Sequence, residues 1–230
     1  MKVLGVSGSP RMETTAKLVQ EVLNHTGAET EFISLKGKDI RPCIACLGCI
    51  EDNVCAQDDD LKKLRDKIVE ADAYVIGAAN YFSHVNGLAH CFLERWYQFR
   101  HRQGQEVAGK LAVAVGVGGG ESKSTADAIE TFMSYNLIDT VAKVTAQGAA
   151  SCFTCGYGEV CQVGAIYMFF GPGTKITEDI IPRLEKQPAV IEAAQQAGKL
   201  LGERLLKGND REKTVEKVAA AIGLKFKEAT

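Results

Sequence analysis

The chain has 230 residues, 46% of them apolar and 24% charged, with a formal net charge of −2 at pH 7. That length can bury a substantial core in one domain, or in one domain with an appendage. So small a charge offers no basic field to nucleic acid or to an anionic membrane surface.

The opening MKVLGVSGSP interrupts its apolar run at Gly5 and ends it at Ser7, too short for a signal-peptide core. KVLGVSG (2–8) reads as a short buried strand. TTAKLVQEVLNH (14–25) follows as a helix, with Leu18, Val19, Val22 and Leu23 forming an apolar stripe. ETEFISL (29–35) is a second strand, and the cysteine-rich loop PCIACLGCIEDNVC (42–55) comes next. DDDLKKLRDKIVEA (58–71) reads as a helix with Asp58, Asp59 and Asp60 in its first turn, where they suit the positive end of the dipole. AYVIGAA (73–79) is a third strand and GLAHCFLERWYQF (87–99) a third helix. KLAVAVGVGG (110–119) is a fourth strand, apolar throughout, as in a parallel sheet covered on both faces. STADAIETFMSYN (124–136) and TVAKVTAQG (140–148) give a fourth helix and a fifth strand. Residues 149–175 are rich in Gly, Cys and aromatics without a period, and read as a long functional loop or insertion. AVIEAAQQAGKLLGERLLKG (189–208) is the last long helix. Beyond it, VEKVAAAIGLKF (215–226) predicts a short appended helix. The expected organisation is therefore a main unit over 1–207, carrying both cysteine-rich segments, and a tail over 208–230.

Five strands alternating with helices imply an α/β, doubly wound parallel sheet. Ligands in such sheets bind at the carboxyl ends of the strands, near the topological switch point. Three loops at those ends carry unusual chemistry: 7–15, 78–86 and 117–124. The first, VSGSPRMETTAKL, has neither a Gly-Lys-Ser/Thr run nor GxGxxG, and no acid ends the second strand to hold a ribose. It offers the hydroxyls of Ser7, Ser9, Thr14 and Thr15, the Arg11 guanidinium and a helix start near Thr14. Those groups suit a terminal monophosphate. The plainer alternative has Thr14 or Thr15 as a mere N-cap and Arg11 solvated.

No long apolar span is present, so a cytoplasmic location is expected. There the eight cysteines point to metal or redox work rather than disulfides. Cys43, Cys46, Cys49 and Cys55 lie in one tight arc, C-x2-C-x2-C-x5-C, without the distant second pair usual for zinc. Thiolates so spaced can reach the corners of a cubane, and Ala45 and Gly48 are small enough to let the backbone approach. Iron–sulfur ranks ahead of zinc, and both ahead of plain thiols, on this spacing taken together with a family resemblance. Cys152, Cys155 and Cys161 echo the x2 and x5 spacings with one ligand missing; they read as a second metal site, a redox dithiol or an incidental glycine-rich flap. Cys91, on an apolar helix face, reads as a small core residue. His84 and Asn86 lie in the third-strand loop, and His90 reads as helix packing. Trp96, Tyr97 and Phe99 read as core or interface, and Glu94 with Arg95 as a helix-surface or interface ion pair.

SGSPR after the first strand, and a Tyr-Phe loop after the third leading to a helix with FLER, resemble the flavodoxin-like NAD(P)H-dependent FMN reductase superfamily. The cysteine run followed by DDDL is similar to that superfamily's iron–sulfur flavoproteins. The resemblance covers 1–148. It implies a five-stranded sheet of order 2-1-3-4-5 and an FMN phosphate held by Ser9, Arg11, Thr14 and Thr15. It places the isoalloxazine between Ala79-Asn80-Tyr81-Phe82 and Gly118-Gly119-Gly120, and a [4Fe–4S] cluster on Cys43, Cys46, Cys49 and Cys55, beside the ring. The implied role is electron transfer between a ferredoxin-like carrier or NAD(P)H and a small-molecule or protein acceptor, with no side chain as general base, in a homodimer or homotetramer whose flavin is approached by the cluster of a neighbouring subunit. Departures are Met12-Glu13 in the phosphate loop and Asn80 where proline is usual; Asn80 is expected to offer a side-chain donor. Two other readings stand beside it: a cluster-free NAD(P)H-dependent FMN or quinone reductase, and a non-enzymatic zinc module.

Overall fold

The computed structural model describes residues 1–101 and 106–223. Five strands pair in parallel: β1 (Lys2–Ser7), β2 (Glu29–Ser34), β3 (Ala73–Tyr81), β5 (Leu111–Gly118) and β6 (Asp139–Gln147). Their order is β2-β1-β3-β5-β6. A two-residue strand, β4 (His84–Val85), folds back antiparallel on β3. The expected 2-1-3-4-5 winding is thus present, with β4 inserted in the count.

Period-two alternation decides which helix layer each strand residue meets. On one face Leu4, Val6, Tyr74, Ile76, Ala112 and Ala114 pack under α2 (Asp60–Glu70), α3 (Gly87–Glu94) and α4 (Lys123–Tyr135). On the other, Val3, Val75, Leu111, Val113 and Val115 meet α1 (Thr14–Asn24) and α6 (Pro188–Leu206). α6 lies tight on the end of α1 because Gly198 and Gly202 carry no Cβ. A Cβ on Gly202 would sit 1.9 Å from the Thr26 carbonyl oxygen. Two short helical turns and α5 (Ala165–Phe170) occupy 151–186.

Beyond α6, α7 (Arg211–Ala221) docks by Asn209 Nδ2 donating to Gly109 O and by Lys217 pairing with Asp139. The appended helix expected at 215–226 runs partly outside the described residues.

Two helices differ from expectation. α2 starts at Asp60: Asp59 is its N-cap, accepting from Leu61 N–H, and Asp58 stands outside the first turn. The helix expected over 87–99 stops at Glu94 and tightens to a 3₁₀ stretch over Arg95–Arg100. With about three residues per turn, side chains three apart eclipse. Trp96 and Phe99 therefore share the core side, both fully buried, while Arg95 and Gln98 share another.

Candidate functional site

The sheet's winding reverses between β1 and β3, and a cavity of ≈ 330 Å³ opens there. Its walls include Ser9, Arg11, Thr14, Thr15, Ala79, Asn80, Tyr81, Phe82, Gly118 and Gly119, all expected from sequence. Gly120 is not part of the wall: it faces the Phe169 ring, 3.1 Å from where its Cβ would be.

The β1 loop is fixed by backbone contacts. Gly8 N–H donates to Gly77 O at 2.7 Å, and Asn86 Nδ2 donates to Gly8 O at 2.8 Å while its Oδ1 accepts from Ala79 N–H. Asn86 therefore staples two loops together and does not face a ligand. The N-cap of α1 is Glu13, with no side-chain cap bond, so Thr14 and Thr15 are the first helical residues rather than caps. The first-turn N–H groups keep their donor capacity, with two buried hydroxyl residues beside them. Arg11 Nη2 donates to Ala149 O at 2.7 Å and Nη1 stands 3.7 Å from Glu13. The guanidinium is thus a strap to the chain after β6, and it has further donors.

The tip of the β3–β4 hairpin is a two-residue loop, Phe82-Ser83, with φ of +54° and +62°. Paired left-handed residues match the twist of a hairpin, but a bulky residue adopts that region at a cost. Phe82 is 99% exposed and Tyr81 half-exposed, so the hairpin holds two aromatics out at the cavity rim. Asn80 is a side-chain donor, as expected, and its partners are within the chain. Its Nδ2 donates to Glu121 Oε2 and Ser124 Oγ, and its Oδ1 accepts from Ser83 N–H. Opposite, Gly118 is required: a Cβ would meet Glu121 O at 1.8 Å.

Sequence reasoning missed a fourth wall, Gly148 to Ser151. Gly148 N–H donates to Gly118 O, and Gln147 with Gln187 ties this wall to the approach to α6. It is made of backbone and small side chains, which carry no chemical signature in a sequence.

The cysteine loop lies elsewhere. None of its residues lines the cavity. It is clamped instead to the end of α3 and the stretch that follows. Glu94 Oε2 accepts from Cys43 N–H, Gln98 Oε1 from Cys55 N–H, and His101 Nε2 stands 3.3 Å from Cys49 Sγ. Arg95, buried, donates to Arg41 O and to Asp59. Glu94 and Arg95 are therefore loop anchors, not a surface pair. The three-residue spacing Arg95, Gln98, His101 was the signal that could have shown this. Burial opposes charge on Asp59, yet hydrogen bonds from Arg95 and Arg41 N–H hold its carboxyl below the usual range.

Within the arc, Ala45 and Leu47 take positive φ (51° and 59°), and Gly48 lets the chain pass Ala56, 2.7 Å from where a Cβ would stand. Burial pushes the Cys49 thiol up, and Cys55, Cys43 and Cys46 add to this. Among the described residues no three His, Cys, Asp or Glu side chains yet converge on one metal-sized hole. The donor set nevertheless fits an iron–sulfur cluster: four thiols on one short, strained arc around Cys49. Cys91 packs against the core as expected, and His90 meets Phe132 edge-on. Trp96 and Phe99 are core, while Tyr97 is half-exposed and meets His101 edge-on. His84 is exposed on β4.

A doubly wound parallel sheet with its cavity at the switch point is the architecture of flavodoxin-like proteins. Solved structures agree in fold: RosB holding a riboflavin 5′-phosphate derivative (TM-score 0.60, 15% identity, covering 100% of this chain and 89% of that one) and a flavone reductase (0.58, 16%, 91% and 65%). The family model for NADPH-dependent FMN reductase matches residues 1–153, and the chain belongs to that family: it is an FMN-dependent oxidoreductase. The non-enzymatic zinc module is thereby set aside. Curated relatives include an iron–sulfur flavoprotein of Methanocaldococcus jannaschii, 36% identical over 148 residues (60% of this chain, 75% of the relative). Another, from Methanosarcina thermophila, is 29% identical over 140 residues (58% and 73%). No helix among the described residues is long and apolar enough to cross a membrane.

Proposed function

We propose that the chain exchanges electrons between a one-electron carrier of ferredoxin type, or NAD(P)H, and a small-molecule or protein acceptor. FMN occupies the strand-end cavity, and a [4Fe–4S] cluster sits on Cys43, Cys46, Cys49 and Cys55. The observation that carries the reading is the pairing of an uncapped α1 N-terminus in a nucleotide-sized cavity with a four-thiol arc clamped at a separate place.

When bound, FMN supplies one- and two-electron chemistry and the cluster one-electron chemistry. The protein's part is placement. Ser9, Thr14 and Thr15 donate to the phosphate together with the first-turn N–H groups, and Arg11 adds positive charge while strapping the fourth wall down. Tyr81 and Phe82 supply apolar surface to one side of the ring, and Gly118 and Gly119 flat backbone to another. No side chain is required as general base. Glu94, Gln98 and His101 position the arc.

Because the arc does not line its own chain's cavity, a homodimer or homotetramer supplies the contact. Exposed Ile44, Leu47 and Ile50 between the cysteines, and exposed Phe82, support such an assembly. Residues 1–207 form the FMN-binding unit and 208–230 an appended segment, in a cytoplasmic protein.

Protein purified without oxygen is expected to carry FMN together with iron and acid-labile sulfide, about four of each per chain for one cluster. Cys46→Ala should lose the cluster and keep FMN. Flavin without iron in the wild type would instead favour the cluster-free NAD(P)H-dependent reductase. An empty cavity in the presence of excess FMN would sink both.

A further inference from the structure

Outside the cavity and the 42–55 arc, one cluster of soft donors stands out. Cys152, Cys155 and Cys161 are free thiols within ten residues of chain. The backbone aims N–H groups at two of their sulfurs. Ala165 N–H donates to Cys152 Sγ at 3.2 Å, and Tyr157 N–H to Cys155 Sγ at 3.4 Å. Gly164 lies against two of them: a Cβ there would stand 3.2 Å from Cys161 Sγ and 3.3 Å from Cys152 Sγ. The sum of those distances caps the separation of the two sulfurs at 6.5 Å. Cys155 Sγ is 3.7 Å from the Cys152 carbonyl oxygen.

The segment is closed on itself. Glu159, the carboxylate within the run, is held by Lys175 Nζ at 2.8 Å and Ile176 N–H at 2.9 Å. It braces the loop and is not free to ligate. The run begins next to Ser151 on the cavity wall, and Phe153 lines a smaller adjoining cavity with Glu13 and Thr14.

We infer that Cys152, Cys155 and Cys161 hold a second thiolate-bound metal centre, separate from the 42–55 arc, with one coordination position left to a non-protein ligand. N–H groups aimed at sulfur stabilise thiolate charge, which a metal requires and a disulfide lacks. Three sulfurs suit a soft centre, either an iron–sulfur cluster or a zinc ion. Assembly requires the exposed Cys155 to leave its backbone contacts and turn toward the other two, since no three thiols among the described residues yet share a common hole.

The test is metal content of protein purified without oxygen, for the wild type, Cys46→Ala and Cys152→Ser/Cys161→Ser. The second site predicts that Cys46→Ala still carries metal. It also predicts that the double variant loses that metal while keeping FMN and the iron of the first arc. Iron with labile sulfide identifies a cluster, and zinc without sulfide a single ion; either supports the site. Iodoacetamide should label the three thiols at least ten-fold faster after chelation than before. Cys155→Ala, at an exposed position, provides the same reading should the double variant fail to fold. Cys46→Ala protein free of iron and zinc, equal labelling with and without chelator, or a Cys152–Cys161 disulfide in the isolated protein would each overturn the inference. FMN and the first cluster are read independently, so their absence is a separate result.

Discussion

The strand-end cavity and the cysteine arc are held in place by opposite means. The cavity is made by the sheet: strand ends, glycine backbones and carbonyl-to-amide contacts such as Gly8 to Gly77 and Gly148 to Gly118. The arc is held by side chains from one short stretch, Glu94, Arg95, Gln98 and His101. A backbone-built site spreads its support over many bonds. A side-chain-built site concentrates it in a few, so single substitutions should separate the two.

The largest effect is expected at the buried ion pair. Asp59→Ala leaves the Arg95 guanidinium buried without its carboxylate and should cost about 3–5 kcal/mol in urea denaturation. The same pair sets an acid limb. The Asp59 carboxyl titrates below its unfolded value in the folded chain, so its contribution is complete above about pH 4 and is lost as pH falls further. Asp59→Asn should flatten that limb in urea midpoints measured from neutral to acid pH.

Next is the cavity. Gly118→Ala drives a Cβ into the Glu121 carbonyl and should cost about 1–3 kcal/mol, with weaker FMN retention on gel filtration and iron unchanged. A cavity indifferent to this change would show that its wall is not backbone-limited. Gln98→Leu leaves Cys55 N–H without its acceptor. About 1–2 kcal/mol of loop stability should be lost, seen as faster iron release to a chelator with FMN affinity intact. If both cofactors weaken together, the two regions are not independent. Arg11→Met should weaken FMN by about ten-fold, roughly 1.4 kcal/mol, by calorimetric titration. The smallest effect is at the hairpin tip. Phe82→Gly removes left-handed strain of about 1–2 kcal/mol and adds about 0.5–1 kcal/mol of chain entropy. A slight net stabilisation is expected, with reduced flavin affinity.

This division also marks what a sequence discloses. Strands and covering helices were legible because burial on both faces forces long apolar runs, as in KLAVAVGVGG. Ser9, Arg11, Thr14 and Thr15 were legible because hydroxyls and a guanidinium at a strand-to-helix turn have distinctive chemistry. Asn80 was legible as a donor but not by partner, since Glu121 and Ser124, which take its amide N–H groups, are more than forty residues away in sequence. Ala149 to Ser151 were legible only as the start of a functional loop, and that they and Gly148 form a cavity wall was not, because backbone walls carry no chemical signature. The anchors at 95 and 98 were hidden by an apparent α-helical run that holds Arg95–Arg100 in a tighter coil, and His101 lies just past its end.

That tighter coil has a consequence for how the cysteine arc can be released. At about 3.6 residues per turn, side chains three apart drift by roughly 60° per step and would fan away from the arc. At about three per turn they form one straight comb of teeth. Trp96 and Phe99 are the spine of that comb, sunk in the core, so relaxing its pitch would withdraw Arg95 and Gln98 together, with Glu94 and His101 just outside its two ends. Loss of the Arg95 and Gln98 contacts should accordingly be concerted, with Trp96 emission reporting the moment they let go.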